Sequence, residues 1–361
     1  MVTVNSYFTD FLKNIRLTQN QIKDLARGHN TLRSRLLADE DLSKIIETTF
    51  LQGSYKRNTA VKPKGGKRSD VDIIVVTNIE ADTVTPNEAL EVFTPFLDKY
   101  YADKYTINQR SIGIELSYVD LDLVITAKIK DTDTLSFMKN EGRKMTRGLQ
   151  KMINTEEYYN SVLGDLVIKM NSEEKKDPEP ILIPDMNDNV WSLTNPLAQI
   201  YWTIEKNKAC NGNYINVVKT LKWWKKHHDT PKYPKGYPLE HIIGQTCPND
   251  IETVAQGITA TLEEIVRKYP TKPMLIDHGV KEHDVFGRIT EDEYGEFYDL
   301  IKEAASIARK AIDESDLSTS VDYWRDLLGT EFPPSNTPPS TNNKFTPRNS
   351  PTEDIGSARF G

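Results

Sequence analysis

The spacing of apolar residues divides the chain into a strand-rich first part and a helix-rich second part. Apolar side chains recur every three or four positions over residues 18–38, which predicts an amphipathic helix with Thr18 as its N-cap. Residues 86–100 predict a second helix. Short β-branched or alternating runs predict three strands of one mixed sheet, at residues 46–54, 70–79 and 112–128.

Helical spacing dominates from about residue 195 onwards. Five segments there predict helices: residues 195–210, 213–228, 238–247, 251–269 and 292–313. Between about residues 129 and 195 the sequence is polar and broken at KKDPEP and IPDMNDN, which predicts one or two helices and a loop crossing between domains.

This pattern predicts two domains and a tail. We expect a sheet-containing domain over residues 1–140, a mostly helical domain over residues 141–332, and a long N-terminal helix that bridges both. Residues 333–361 are rich in Pro, Ser, Thr and Asn and poor in apolar side chains. Such a composition cannot offset the entropy of ordering, so it predicts a disordered tail.

Charge and composition narrow the classes of partner. The chain has 46 Lys and Arg against 53 Asp and Glu, a net charge of −7, which argues against a protein that coats nucleic acid or an anionic membrane. Its two cysteines are too few for a disulfide framework. Neither a secretory signal nor an apolar stretch long enough to span a bilayer is present in the sequence. We therefore expect a cytoplasmic protein without a membrane or a stable nucleic-acid partner.

Three aspartates fall where the predicted sheet should bring them together. Asp70 and Asp72 stand two residues apart at the start of an apolar strand, so both project from one face. Asp122 lies between two leucines in a strand expected beside the first, where a lone acid is costly without a partner. Carboxylates converging from neighbouring strands predict a catalytic site for two Mg²⁺ ions. Asp120, on the same strand face as Asp122, is the alternative third ligand.

A Gly-Ser pair and a basic loop precede the first two aspartates. Gly53 ends a predicted strand with open backbone N–H groups and the Ser54 hydroxyl adds a donor, so the pair can cradle phosphate oxygens, with Gln52 as a further nucleotide contact. The loop that follows carries cations and no acid up to Ser69: Lys56, Arg57, Lys62, Lys64, Lys67 and Arg68. Together with the aspartates, this local positive field predicts a nucleotidyl-transfer site for a triphosphate.

The order Gly-Ser, Asp-x-Asp and a third Asp resembles the nucleotidyltransferase superfamily of poly(A) polymerases, CCA-adding enzymes and oligoadenylate synthetases. Longer runs are similar to one bacterial group, the clade D cGAS/DncV-like nucleotidyltransferases (CD-NTases) of CBASS anti-phage systems. They include TFLQGSYKRNTAVKPKGGKRSDVDIIVVTN, SYVDLDLVITA, NPLAQIYWTIEKNKACNGNYINVVKTLKWWKK and KYPKGYPLEHIIG. The resemblance covers residues 1 to about 332.

This resemblance implies a fold and an activity. The fold is α+β, with a polymerase-β-like core of mixed sheet and helices and a mostly α-helical second domain resembling that of oligoadenylate synthetase. The activity is Mg²⁺-dependent synthesis of a cyclic oligonucleotide second messenger from NTPs, with a cyclic trinucleotide of adenine and guanine favoured and ATP and GTP as substrates. A cyclic dinucleotide synthase, a linear oligoadenylate synthase and a non-catalytic nucleotide-binding protein are the alternatives.

The resemblance also assigns roles outside the aspartates. INVVKTLKWWKK followed by GYPLEHI is similar to a pattern in which a helical Lys meets the triphosphate and a Tyr stacks on the donor base, which places these roles on Lys222 and Tyr237. The tail ends in Gly361, and a disordered linker with a terminal Gly suits conjugation to a target. Since some systems of this group encode an E1/E2-like ligase, such a ligase is an expected partner for Gly361, together with an effector that senses the cyclic nucleotide.

Overall fold

The computed structural model describes residues 4–148 and 178–335 of the chain. It begins with helices α1 (Asn5–Ile15) and α2 (Gln19–Ala38). The Thr18 hydroxyl accepts a hydrogen bond from the Gln21 N–H, and the Gln21 side chain accepts one from the Thr18 N–H, so a capping box fixes the start of α2. This confirms the helix and the N-cap predicted over residues 18–38, whereas α1 has no counterpart among the predicted elements.

A five-stranded mixed sheet follows, with one more helix than the sequence predicts. A 3₁₀ turn (Leu42–Lys44) leads into the first strand. The strands are β1 (Ile46–Gln52), β2 (Asp70–Thr77), β3 (Tyr105–Ile107), β4 (Ile112–Glu115) and β5 (Asp120–Ile125). Helix α3 (Gly53–Lys56) separates β1 from β2, and α4 (Pro86–Tyr101), which confirms the helix predicted over 86–100, separates β2 from β3. The strand order is β1-β2-β5-β4-β3, in which only β2 and β5 run parallel.

The single strand predicted over residues 112–128 is wrong, because the chain turns back on itself there. Strands β4 and β5 are antiparallel neighbours, joined where the Leu116 N–H donates to the Val119 carbonyl. On the face of the sheet that packs against α2 and α4, the buried positions are even-numbered in β4, at Ile112 and Ile114, and odd-numbered in β5, at Leu121, Leu123 and Ile125. This change of parity is the sequence signal of the turn, since one straight strand keeps its parity.

The rest of the described chain is mainly helical. The elements are α5 (Thr132–Gly148), β6 (Ile181–Asp185), β7 (Val190–Thr194), α6 (Pro196–Ala209), α7 (Tyr214–Lys225), α8 (Tyr237–Thr246), α9 (Val254–Lys268), α10 (Glu291–Asp313) and α11 (Leu317–Leu328). The five helices predicted after residue 195 are confirmed as α6 to α10. The β6–β7 hairpin replaces part of the predicted crossing loop, and the breaker-rich run IPDMNDN forms its turn, with Asn189 at a φ of +52°.

The sheet is covered by apolar side chains on both faces, which is why β2 continues after Asp72 as an unbroken apolar run up to Val76. Val71 and Ile73 pack with α2 and α4 on one face, while Ile74 packs on the other with side chains of α5, β6 and α6. A separate core joins α1 to the later helices, where Phe8 lies edge-on to Trp324 of α11. No helix in the described part of the chain is long and apolar enough to cross a membrane.

Candidate active site

Four carboxylates meet at the start of strands β2 and β5. The parallel pairing places Asp70 opposite Asp120 and Asp72 opposite Asp122 on one face of the sheet. Arg68 separates the two rivals for the third carboxylate, because its Nε donates to Asp120 Oδ1 at 2.6 Å. Within the described residues no cation pairs with Asp122, which accepts a hydrogen bond from the Ser111 hydroxyl at 3.0 Å. The arrangement favours Asp122 over Asp120 as the third carboxylate, and its catalytic role stays a prediction.

Burial and mutual repulsion both oppose ionisation of the carboxylates in this cluster. Burial, Asp70 and then Asp122 raise the pKa of Asp72 to about 7, against the opposing charges of Arg57 and Lys222. Burial raises the pKa of Asp122 too. Within residues 4–148 and 178–335, no three His, Cys, Asp or Glu side chains stand close enough to form a finished metal cage. The aspartates nevertheless fit hard cations, because carboxylates that repel one another are what a divalent ion would neutralise.

Gly53 brings the backbone against the aspartates. Its φ of +71° lies in the left-handed region, and a Cβ built on it would stand 1.8 Å from Asp72 Oδ2. Only glycine therefore fits between α3 and β2 at this point. Gln52, which pairs with Asp72 across β1 and β2, and Ser54 flank it, and all three line the same cleft as Asp70 and Asp72.

The cleft has a volume of about 940 Å³ and receives side chains from both the sheet and the later helices. Lys222 of α7 and Tyr237 at the start of α8 line it, so the predicted site residues of the helical part do face the aspartates. Gly361 lies outside the described residues.

A buried ion cluster connects the two walls of the cleft. Glu240 of α8 accepts hydrogen bonds from Arg57 Nε at 3.1 Å and from Lys222 Nζ at 2.7 Å. The side chains of Arg57 and Glu240 are 6% and 5% exposed, and that of Lys222 is 11% exposed. Although burial opposes it, the two cations lower the pKa of Glu240 to about 2, so the carboxylate stays charged.

Tyr237 is held by contacts to its ring and its hydroxyl. Arg57 lies 5.3 Å from the ring centroid, and His241 Nδ1 lies 3.4 Å from the hydroxyl oxygen. Burial and the neighbouring Asp277 raise the pKa of Tyr237, so the hydroxyl stays protonated. Gly236 precedes it with a φ of +58°, which sets the entry into α8. The ring is therefore a fixed wall of the cleft.

The basic loop is a weaker positive field than its sequence suggests. Ion pairs engage Arg57 with Glu240, Arg68 with Asp120 and Lys62 with Glu331. Lys67 and Arg68 line the cleft.

Sequence reasoning missed Glu240 and Ser111. An acid in the first turn of a helix is ordinary, and a serine between strands carries no signal, so only the tertiary contacts mark them. Lys226, which also lines the cleft, could have been found, since it stands one helical turn after Lys222.

Comparison with known proteins decides the family. Residues 2–143 match the Second Messenger Oligonucleotide or Dinucleotide Synthetase (SMODS) domain. Over 374 residues the chain is 41% identical to the cyclic AMP-AMP-GMP synthase of Enterobacter hormaechei subsp. hoffmannii, covering 98% of each. The chain belongs to this synthetase family. A cyclic AMP-AMP-AMP synthase of Acinetobacter is 33% identical over 355 residues, covering 95% of this chain and 89% of that protein.

Solved structures show the same fold at low identity. Escherichia coli CdnC in its complex with HORMA-deltaN has a TM-score of 0.62 at 13% identity, covering 91% of this chain and 98% of that one. The cyclic AMP-GMP synthase DncV of Vibrio cholerae has a TM-score of 0.56 at 13% identity, covering 87% and 78%. The SMODS family and this fold confirm the predicted class, a CD-NTase enzyme that makes cyclic oligonucleotides. Its assignment to clade D stays a prediction.

Proposed function

We propose that this CD-NTase joins two ATP and one GTP into a cyclic AMP-AMP-GMP signal for anti-phage defence, at a cleft between domains at residues 1–140 and 141–332. Two relatives, 41% and 40% identical, carry the name of this product. The observation that carries the proposal is Asp72, which lines the cleft, lies against Gly53 and stands opposite Asp122 in the sheet.

Asp70, Asp72 and Asp122 would hold two Mg²⁺ ions in this proposal. Ions bound there would offset the charge of the leaving pyrophosphate and make the acceptor hydroxyl more acidic. The mutual repulsion that raises the pKa of Asp72 supports this role, since a cation would relieve it.

The chain's own residues position both reactants. Backbone N–H groups at Gly53 and the Ser54 hydroxyl bind phosphate oxygens of the donor, with Gln52 beside them, and Lys222 neutralises the leaving pyrophosphate. Tyr237 stacks on the donor base. The acceptor's 3′ or 2′ oxygen bonds to the donor α-phosphorus, the bond from that phosphorus to pyrophosphate breaks, and the Asp122 carboxylate accepts the hydroxyl proton. Two repetitions, the last within one molecule, close the ring.

Product analysis tests the proposal. The protein is incubated with labelled NTPs and Mg²⁺ and then with phosphatase. The products are separated, and their masses are measured by mass spectrometry. A phosphatase-resistant product containing two AMP and one GMP units is expected. A phosphatase-sensitive product would indicate a linear oligonucleotide, and a resistant product of AMP alone would place the chain with its Acinetobacter relative. Asp72→Asn serves as the inactive control.

The resemblance to CD-NTases of CBASS systems also implies two partners. The proposal includes an E1/E2-like ligase that acts on Gly361 and an effector that senses the cyclic nucleotide. Mass spectrometry of the chain after co-expression with a candidate ligase tests the first, since conjugation adds the target's mass at Gly361. An unmodified C-terminus in the presence of a charged ligase would contradict it.

A further inference from the structure

Glu240 lies between two cations that face the aspartates from opposite walls of the cleft. Arg57 follows the Gly53–Ser54 pair by one helical turn, and Lys222 comes from α7. Glu240 Oε2 accepts from Arg57 and Glu240 Oε1 accepts from Lys222, and both cations line the same cleft as Asp72. The carboxylate thus connects Arg57, which lies 183 positions before it in the sequence, to Lys222 at the point where the donor triphosphate would lie.

Stability alone does not explain this cluster. Burying a carboxylate with two cations leaves one positive charge uncompensated within it and removes all three groups from water. Well-packed apolar side chains of similar size are often as stable as, or more stable than, a buried ion cluster. A surplus positive charge beside the phosphate-binding backbone suits a cleft that binds an anion.

Neighbouring contacts make the geometry of the cluster rigid. Asn58, next to Arg57, accepts a hydrogen bond from Lys219 of α7 at 3.0 Å, and the Lys62 carbonyl accepts one from Lys226 at 3.1 Å. These hydrogen bonds attach the segment that carries Gly53 and Ser54 to α7. Glu240 adds an acidic side chain that contacts both walls of the cleft, through Arg57 and through Lys222.

We propose that Glu240 is a positioning residue, which holds Lys222 and Arg57 in the orientation that stabilises the departing pyrophosphate. This rests on the proposed nucleotidyl transfer. The negative charge of Glu240 weakens the attraction of Arg57 and Lys222 for a bound triphosphate. The same carboxylate fixes the direction of their N–H groups, which matters when negative charge moves to the leaving pyrophosphate.

Glu240→Gln tests this role in the full chain, because it keeps the shape and removes the charge. Pyrophosphate release is measured against ATP concentration with Mg²⁺ present, and rates are normalised to the folded fraction. We expect kcat to fall by about 10- to 100-fold while KM for ATP changes by less than about threefold. In a Lys222→Gln background the same substitution should cost less than in the wild type, since only the orientation of Arg57 then depends on Glu240.

Other outcomes overturn the inference. If Glu240→Gln lowers the melting temperature but leaves kcat per folded molecule unchanged, the role of Glu240 is structural. If the losses of kcat multiply in the double variant, Glu240 acts independently of Lys222. If Glu240→Gln does not fold, Glu240→Asp replaces it, because the shorter carboxylate keeps the charge but does not span both cations. A wild-type kcat for Glu240→Asp also overturns the role.

Controls separate this result from the proposed product. Glu264→Gln removes a partly exposed glutamate of α9 that pairs with Arg267 at 2.6 Å, and it should leave kcat and KM unchanged. Pyrophosphate release does not depend on which oligonucleotide forms. An unexpected product would therefore contradict the proposed function, whereas the kcat and KM of Glu240→Gln could still be compared with those of the wild type.

Discussion

Asp72 of β2 lies opposite Asp122 of β5, the two joined only by the parallel pairing of their strands. The stretch between them contains a helix and two further strands, so the sheet alone makes them neighbours. Burial together with repulsion from Asp70 and Asp122 raises the pKa of Asp72 to about 7. The pairing of these carboxylates therefore has a cost in stability.

Asp72→Asn should abolish product formation and stabilise the protein when metal is chelated. The folded-state pKa of about 7 lies above the ordinary value of 3.8, so the folded state binds more protons than the unfolded state between these values. Wild-type stability should accordingly fall as pH rises from about 4 through about 7, by about 1.4 kcal/mol for each unit of the shift.

Urea unfolding at a series of pH values in a chelating buffer measures this. The variant should be more stable than the wild type by a few kcal/mol at about pH 8, and the difference should vanish near pH 4. Equal stabilities across the range would contradict the raised pKa of Asp72.

Asp122→Asn and Asp120→Asn should separate sharply in activity. Asp122 is opposite Asp72, whereas Asp120 is held by Arg68 at 2.6 Å. We expect pyrophosphate release to be lost in Asp122→Asn and to fall less than about tenfold in Asp120→Asn, since the pair with Arg68 is about one-third exposed. The reverse order would transfer the third carboxylate role to Asp120.

Gly53→Ala should inactivate the enzyme through a steric clash with Asp72. A Cβ at Gly53 would stand 1.8 Å from Asp72 Oδ2. Since this displaces a catalytic carboxylate, a loss of at least about 100-fold in kcat is expected. Gly212→Ala is the matched control, because Gly212 has a φ of +78° with no atom within 4 Å of its Cβ position. It should lose about 1 kcal/mol of stability and no kcat per folded molecule. Matching losses of kcat in both variants would attribute the effect to backbone strain.

Tyr237→Phe and Tyr237→Ala should differ in nucleotide affinity. Phenylalanine keeps the ring that faces the cleft and loses only the hydroxyl near His241, whereas alanine removes the ring. We expect KM for ATP to rise by about 5- to 100-fold in Tyr237→Ala, since stacking on a base contributes about 1–3 kcal/mol, and to stay within about threefold in Tyr237→Phe. Similar KM values for the two variants would contradict a stacking role.

The residues that the sequence located correctly share a local signal. Thr18 and the helices α6 to α10 follow capping and 3–4 spacing, which depend on neighbours within one turn. Asp70, Asp72 and Gly53 stand at strand ends, where composition changes abruptly. The sequence did not predict the hairpin β6–β7 or the turn before β5, because the strands are short. The pattern around β6–β7 resembles a loop, and the turn before β5 resembles a continued strand.

The sequence by itself determined the class of protein, the mixed sheet with its helices, and the acids, glycine and cations available for phosphate chemistry. The tertiary structure decided which of them meet. Among the described residues Arg68 pairs with Asp120 and no cation pairs with Asp122, and Glu240 lies between Arg57 and Lys222. The physical reason is distance along the chain. Backbone preferences act over a few residues, while the contact of Arg57 with Glu240 spans 183 positions and exists only once both halves have packed.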